Sequence, residues 1–303
     1  MIDGILNVYK ESGYTSFDVV AKLRGILKQK KIGHTGTLDP MAEGVLPVCL
    51  GKATKLVDML TVSSKEYSAV MMLGITTDTE DITGKILSKN SIDESITSES
   101  ILNVLESFIG KYNQIPPMYS AIKKDGKKLY EYARAGIEIE REARTVEIFS
   151  IDDIQIDIPY VSFKVHCSKG TYIRSLCRDI GDKLGCGATL KELKRNDVHG
   201  FNISDSLKLS EIEQLVKENS LSDKVLPIDS LLMNYKKVFV KESYSTYINN
   251  GNKLLAKYLI FEDNPDEILD NQIFRVYLND EFLALYQYIM SEKVFKPYKM
   301  FLG

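Results

Sequence analysis

Hydrophobic and polar positions along the first 230 residues switch repeatedly between strand-like and helix-like spacing. Residues 45–50 form a bounded apolar run of the length that is typical of a buried strand. Ser16 stands where a helix N-cap is expected, and the apolar positions after it have helical spacing. Residues 160–167 alternate between polar and apolar side chains, which predicts a half-buried strand. The chain therefore mixes both kinds of element.

The same patterns place the remaining elements. They predict strands over residues 66–75 and 144–158, a polar loop over 74–84, an exposed connector over 88–97, and helices over 51–60, 98–109, 170–184 and 210–219. Beyond about residue 235, short β-like pieces alternate with turns. We expect an α+β domain followed by a small, mostly β domain.

The loop before the apolar run at residues 45–50 reads GHTGTLDP from residue 33 to residue 40 and carries a single carboxylate. Pro40 keeps Asp39 out of helical geometry, so the carboxylate is held at a fixed corner. A polar loop that is anchored to a core strand is a common way to present a reactive group. An ordinary Asp-Pro turn has the same signature. The loop alone leaves both interpretations open.

Charge is distributed unevenly along the 303 residues, whose net charge is −3. Residues 111–135 carry six Lys or Arg against two Asp or Glu, and residues 161–200 carry eight against four, so each segment has a balance of +4. In the first of these segments, lysines alternate with tyrosines, a pattern that is typical of nucleic-acid-facing surfaces. A local basic surface is suited to a phosphate backbone, although solvated helix faces have the same composition.

Several classes of protein have no support in the sequence. The N-terminus lacks the features of a secretory signal, and no apolar run reaches the length of a membrane span, so we expect a cytoplasmic protein with no membrane partner. The four cysteines form no CxxC pair and no zinc-like spacing. The phosphate-binding, dinucleotide-binding and zinc-protease motifs are also missing.

Arg174 lies near the start of a predicted helix, among neighbours that are expected to face the core. An arginine that is partly buried there needs a carboxylate partner. Asp39 is one candidate. A local pair with Asp179, or exposure on the helix surface, is equally compatible with the spacing.

Taken together, these segments resemble the TruB family of tRNA pseudouridine-55 synthases. The matching motifs, in chain order, are GYTS at 13–16, GHTGTLDPMAEGVLPVCLGKATK from 33, KEY at 65–67, GITTDTEDITG at 74–84, IPPMYSAIKKDGKKLYEYAR at 115–134, CSKGTYIRSLCRDIG at 167–181 and LPID at 226–229. They cover about the first 230 residues in the family's order and spacing.

The resemblance implies a role for individual residues. Asp39 would be the catalytic aspartate, Tyr67 would stack on the target uracil and assist proton transfer, and Arg174 would pair with Asp39. His34 would lie against the RNA where the nucleotide has flipped out. Further substrate-binding residues are expected at Lys10, Tyr172, Leu193, Lys123, Lys124 and Arg195.

The implied fold is a mixed, mainly antiparallel curved sheet flanked by helices, over residues 1–234. A thumb-like RNA-binding loop is expected at about 111–136, and a small β-rich PUA-like domain at 235–303. The implied partner is the T-stem and loop of tRNA, bound by a monomer. Because uridine isomerisation changes no oxidation state, no metal or other cofactor is expected. The carboxylate can act as a nucleophile at C1′ or as a base toward the ribose.

The sequence departs from the family pattern at a few positions. The family's Lys-Pro near the N-terminus is Lys10-Glu11 here. Its LRRT-x-x-G segment has Asn196 at the threonine and His199 at the glycine-like position. Two alternatives to a stand-alone synthase remain: a tRNA-binding or tRNA-folding protein without essential catalysis, and a guide-RNA-dependent synthase of the dyskerin type.

Overall fold

The computed structural model describes residues 1–61, 63–262 and 267–302. Its α-helices are α1 Ser16–Leu27, α2 Val57–Leu60, α3 Ser98–Glu106, α4 Leu129–Arg134, α5 Ile173–Leu184, α6 Leu209–Lys217 and α7 Ser245–Asn249. Its strands are β1 Gly4–Lys10, β2 Ile32–His34, β3 Glu43–Leu50, β4 Lys65–Leu73, β5 Ile75–Thr77, β6 Ile86–Lys89, β7 Gly110–Gln114, β8 Lys123–Lys124, β9 Lys127–Lys128, β10 Arg144–Asp157, β11 Tyr160–Cys167, β12 Ala188–Val198, β13 Phe201–Asn202, β14 Val225–Leu226, β15 Lys236–Val240, β16 Leu259–Phe261, β17 Ile273–Leu278, β18 Glu281–Ile289 and β19 Val294–Met300.

One large sheet has the order β14-β1-β3-β12-β4-β11-β10-β7, with β2 beside β3 and β13 beside β12. Its strands pair antiparallel except where β12 meets β3, side by side at Arg195 and Gly44. A Cβ on Gly44 would lie 2.3 Å from the Arg195 carbonyl oxygen, so only glycine allows the two strands to approach. This contact joins the two halves of the sheet directly after the loop that carries Asp39.

The central strand β12 was missed by the sequence patterns. Its residues include several charged side chains, and one of these, Arg195, is fully buried. Because a buried arginine occupies a position where an apolar residue would be expected, the alternation of a half-buried strand is hidden. The strand nevertheless lies between β3 and β4, in the middle of the sheet.

Helices cover the large sheet through two apolar clusters. In the first, α3 and α5 pack on β4, β11 and β12, with Ile101, Leu105, Leu176 and Ile180 at the centre. In the second, α1 and α6 pack on β1 and β3. Tyr67 and Leu193 belong to the first cluster, on the same face of the sheet as α5. The first cluster therefore forms the floor on which the predicted site rests.

A second, five-stranded sheet has the order β16-β15-β17-β18-β19, with its own apolar cluster. A further cluster joins it to the large sheet, because Leu285 and Phe301 pack together with Val45 and Leu56. Tyr277 also donates a hydrogen bond of 2.6 Å to Asp229 Oδ2. The two sheets are thus held together by both apolar and polar contacts.

Most of the predicted elements are confirmed, with small errors at their ends. The strand over residues 45–50 is fully buried, and the alternation over 160–167 is reproduced in the structure. The predicted N-cap Ser16 was wrong: Thr15 caps α1, accepting a hydrogen bond from the Asp18 amide. The expected polar loop over 74–84 contains strand β5, and α5 begins at Ile173 rather than at residue 170.

The α+β fold class is confirmed: a mainly antiparallel sheet flanked by helices is followed by a β-rich unit. His199, at the family's glycine-like position, has a φ of 55°, so the histidine adopts the left-handed backbone that glycine favours. Among the described residues, no helix is both long and apolar enough to span a bilayer.

Candidate active site

The loop between β2 and β3 is anchored from three directions. Thr35 donates its amide to the Pro47 carbonyl at 3.1 Å. Ser16, at the start of α1, accepts a hydrogen bond from the Leu38 amide at 2.9 Å. The Gly13 amide donates to the Pro40 carbonyl at 2.8 Å. The backbone on both sides of Asp39 is therefore fixed by neighbouring elements, as the sequence predicted for a rigid corner.

Lys10 lies beneath this loop and is fully buried. Its Nζ donates hydrogen bonds to the carbonyls of Ala42 at 2.5 Å, Pro40 at 3.3 Å and Glu11 at 3.1 Å. Burial lowers the pKa of Lys10 to about 8, although the nearby Asp39 carboxylate opposes the shift. The ammonium thus supports the backbone that follows Asp39.

Arg195 is buried on the other side of the same loop. Its Nε donates to the Val45 carbonyl at 2.7 Å, and its Nη2 donates to the Gly36 carbonyl at 3.2 Å. The substrate-binding roles expected for Lys10 and Arg195 stay predictions. In the structure, both side chains lie against the loop that carries Asp39 and donate hydrogen bonds to backbone carbonyls on either side of that residue.

Arg174 meets Asp39 directly. Its Nε lies 2.8 Å from Asp39 Oδ2, and its Nη2 donates a hydrogen bond of 3.2 Å to Oδ1. The Nε–H does not point at Oδ2, so that contact is an ion pair without a hydrogen bond. The arginine side chain is 4% exposed and that of the aspartate 33%. A buried cation therefore holds a carboxylate whose outer side is open to the cleft.

Two backbone carbonyls fix the guanidinium of Arg174. Nη1 donates to the Thr79 carbonyl and Nη2 to the Tyr119 carbonyl, both at 2.8 Å. Asp81 adds a second carboxylate at 3.9 Å from Nη1. Arg174 thus connects three segments: the loop that carries Asp39, the 78–84 loop between β5 and β6, and the segment after β7. The alternative pair with Asp179 does not form, because Arg178 takes that partner.

A cleft of about 650 Å³ lies in front of Asp39. Tyr67 and Leu193 line its floor, and Tyr172 lines its wall. Burial raises the pKa of Tyr67 and of Tyr172, so both hydroxyls are neutral at physiological pH. The catalytic trio predicted from the sequence, Asp39, Tyr67 and Arg174, is thus brought together at one cleft.

Basic side chains surround the mouth of the cleft. Lys65, Arg144 and Lys169 line it together with Tyr119 and Tyr130. The sequence patterns did not single out Lys65. Its spacing of two residues from Tyr67 on one strand could have identified it, because such residues share a face. Burial lowers the pKa of Lys65 to about 8.

Other predicted substrate-binding residues lie outside the cleft. Lys123 and Lys124 are exposed on the β8–β9 hairpin. His34 ends β2, next to the loop that carries Asp39, and its buried Nδ1 has no hydrogen-bond partner among the described residues. The same described residues contain no cluster of three or more His, Cys, Asp or Glu side chains that could hold a metal ion.

Comparison with protein families decides the classification. The model for the N-terminal domain of the TruB family pseudouridylate synthases matches residues 24–173. The model for the C-terminal domain of tRNA pseudouridylate synthase B matches residues 174–233. The chain belongs to the TruB family of pseudouridylate synthases. The resemblance of the sequence motifs is thereby confirmed.

Curated TruB relatives match over nearly their full length. A tRNA pseudouridine synthase B of Lachnoclostridium phytofermentans is 51% identical over 310 residues, covering 99% of this chain and 100% of the relative. One from Clostridium tetani is 47% identical over 286 residues, covering 94% and 96%.

Solved structures confirm the TruB-type fold. A chain of a Cbf5-Nop10-Gar1 complex superposes with a TM-score of 0.72 at 28% identity, covering 99% of this chain and 85% of that one. A chain of an H/ACA ribonucleoprotein bound to a substrate RNA gives a TM-score of 0.71 at 26% identity, with the same coverage.

Proposed function

We propose that this chain isomerises uridine 55 in the T-loop of tRNA to pseudouridine, with Asp39 as the catalytic carboxylate. The observation that carries the proposal is the ion pair between the buried Arg174 and Asp39, which lines a basic-rimmed cleft. Membership of the TruB family supports the reaction, and relatives named tRNA pseudouridine synthase B support tRNA as the substrate.

The reaction needs a carboxylate at the ribose of the target nucleotide. The N1–C1′ bond breaks, the ring rotates, and C5 bonds to C1′. C5 then loses its proton, and N1 gains one. Asp39 acts either by attack on C1′ or by removal of a ribose proton. Both routes need a carboxylate that is fixed on one side and open on the other, which is how Arg174 holds it.

Tyr67 provides the platform for the base. A uridine inside a folded tRNA must leave its stack to reach Asp39, and an aromatic ring in the pocket compensates for lost stacking. The neutral phenol of Tyr67 lies on the cleft floor beside Leu193. It can also relay the proton from C5, because a neutral phenol both donates and accepts hydrogen bonds.

The thumb segment, residues 111–136, is proposed to close over the T-stem. Its hairpin presents Lys123, Lys124 and Lys127 to solvent. Two cations lie over the ring of Tyr130: Lys128 Nζ is 5.4 Å and Arg134 Cζ is 5.3 Å from the ring centroid. Such alternating cations and rings suit a backbone of phosphates with accessible bases.

We further propose that residues 1–234 form the catalytic domain and residues 235–303 a PUA-like RNA-binding domain, in a protein that acts as a monomer without a cofactor. The separate sheet and apolar cluster of the C-terminal unit support this division. Lys237 lies over the rings of Phe239 and Tyr277 at 4.5 and 4.6 Å, so a cation stands beside the half-buried ring of Phe239 there.

The test is to incubate the protein with an unmodified tRNA transcript and locate pseudouridine in the product. We expect one modified uridine, in the T-loop at position 55, and none with Asp39→Ala, which should still bind the tRNA. Modification that appears only after a guide RNA is added would favour a dyskerin-type enzyme. Binding without any modification by the wild type would favour a tRNA-folding protein.

A further inference from the structure

Glu80 has a backbone conformation that few residues other than glycine adopt. Its φ is 63°, and the residue is 9% exposed within the 78–84 loop. Its amide donates to the Thr77 carbonyl at 3.2 Å, and its carbonyl accepts from the Leu190 amide at 3.1 Å. Strain of this kind persists only where the surroundings enforce it, and it is concentrated at functional sites.

The Glu80 carboxylate binds two residues of helix α5 that follow Arg174 in the sequence. Oε2 accepts a hydrogen bond of 2.6 Å from Ser175 Oγ, and Oε1 forms an ion pair with Arg178 Nη1. The preceding carbonyl, of Thr79, accepts from Arg174 itself at 2.8 Å. Two consecutive residues of one loop therefore hold the first turns of α5, through a carbonyl and a carboxylate.

The same helix turn also fixes the base of the thumb segment. Arg178 Nη2 donates to the Ile115 carbonyl at 2.9 Å, and Arg174 Nη2 donates to the Tyr119 carbonyl at 2.8 Å. The Gln114 side chain pairs with both backbone groups of Tyr172, at 2.8 and 3.0 Å. Four hydrogen bonds thus join the start of the thumb segment to α5 and to Tyr172, which precedes the helix.

We propose that Glu80 is a positioning residue for the isomerisation. Through Ser175 and Arg178 it holds α5 and the base of the thumb segment in the arrangement in which Arg174 meets Asp39. Closure of the thumb segment on RNA is thereby coupled to the alignment of the carboxylate. The inference rests on the proposed catalytic role of Asp39.

Glu80→Gln tests this with little change of shape. The amide keeps the volume of the side chain but removes the charge that binds Arg178. We expect the single-turnover rate of pseudouridine formation to fall by about tenfold or more, the effect of losing a hydrogen bond to a charged group. The dissociation constant for the tRNA should change less than about twofold, because the exposed thumb lysines are untouched.

A double-mutant cycle separates positioning from general support of the fold. If Glu80 acts through Arg174, Glu80→Gln should have less than about a twofold effect in an Arg174→Lys background, because coupled residues are not additive. Full additivity of the two rate effects would overturn the proposal. Glu213→Gln, in an exposed pair with Lys217 on α6, is the matched control and should leave the rate unchanged.

Ser175→Ala provides an independent variant if Glu80→Gln does not fold. It deletes one of the two ligands of the carboxylate in a helix that tolerates alanine. If Ser175→Ala lowers the rate when Arg174 is present but not in the Arg174→Lys background, the proposal is supported. If Ser175→Ala leaves the rate unchanged, the proposal is overturned. Asp39→Ala in the same assay distinguishes a failure of the catalytic role of Asp39 from a failure of the positioning role of Glu80. Activity in Asp39→Ala contradicts the catalytic role, independently of the result for Glu80.

Discussion

Arg174 and Asp39 form an ion pair of 2.8 Å although 135 residues separate them in the sequence. The arginine comes from the first turn of α5, and the aspartate from a loop that follows α1 and β2. The guanidinium is held on other sides too, by hydrogen bonds to two backbone carbonyls and by a second carboxylate, that of Asp81. The buried guanidinium contacts both oxygens of Asp39, and it therefore fixes the orientation of the carboxylate.

Arg174→Lys tests that rigidity. The ammonium keeps the charge but cannot reach Asp39, Thr79 and Tyr119 in one planar arrangement. We expect the single-turnover rate to fall by about 100-fold, since a displacement on the order of 1 Å has that effect. The affinity for tRNA should be nearly unchanged. Arg24→Lys, on the exposed face of α1, is the control. An unchanged rate in Arg174→Lys would mean that charge alone suffices.

The sequence allowed the parts of the site to be predicted, but only partly their arrangement. The apolar run over residues 45–50 and the motifs around Asp39, Tyr67 and Arg174 predicted the fold class, which the structure confirms, and three residues that the structure brings close to one another. From spacing alone, Asp179 was as good a partner for Arg174 as Asp39. Which carboxylate pairs with which arginine depends on contacts between distant segments, and local periodicity carries no information about these.

Buried charged residues were the main source of error. Strand β12 was missed because Arg195 occupies a core position, where its donors bind the backbone carbonyls of Gly36 and Val45. The sequence gives no sign of a role for Glu80 within its polar loop, although the residue is nearly buried and bound to Arg178. In both cases the residue type suggests solvent, and only the three-dimensional packing provides the partner that makes burial possible.

Because Lys10 is buried, we predict that the difference in stability between the wild type and Lys10→Met depends on pH. Its pKa is about 8 in the folded protein and 10.5 in the unfolded chain, because burial outweighs the attraction of Asp39 and Glu43, and Arg195 adds repulsion. Folding therefore releases this proton between pH 8 and 10.5, and the free energy of unfolding rises with pH in that window. Relative to Lys10→Met, the wild type should gain up to about 3 kcal/mol.

Denaturant titrations of both proteins from pH 7 to pH 10.5 measure this difference. Comparing the two proteins cancels the contributions of other groups, such as the buried Cys49, whose pKa is raised to about 12. A difference that stays constant across the window would show that Lys10 has an ordinary pKa.

The exposed thumb lysines predict a salt-dependent loss of binding. Replacing Lys123, Lys124 and Lys127 with alanine should weaken tRNA binding and flatten the dependence of log Kd on log salt, by roughly 0.7 to 0.9 for each lost phosphate contact. Filter binding at several salt concentrations measures the slope. The control replaces three exposed lysines on and near α6, Lys208, Lys217 and Lys224. Equal slopes in the two variants would indicate that the thumb face is merely solvated.

Tyr67→Phe separates stacking from proton transfer. The phenyl ring preserves the platform and the packing of a residue that is 7% exposed. If the hydroxyl relays the C5 proton, the rate should fall roughly 100-fold or more while tRNA binding persists. Because burial raises the pKa of Tyr67, the wild-type rate should show no tyrosine ionisation at or below pH 10. A rate equal to that of the wild type would leave Tyr67 with stacking alone.

The catalytic role of Asp39 can be measured without locating the product. In a tRNA whose uridines carry tritium at C5, isomerisation releases the label to water, since C5 loses its hydrogen when it bonds to C1′. Asp39→Asn keeps the size of the side chain and removes the carboxylate. We predict a single-turnover release slower than that of the wild type by at least about 1000-fold, with tRNA affinity retained. Tritium release by Asp39→Asn at a rate within about tenfold of the wild type would contradict the assignment of the carboxylate.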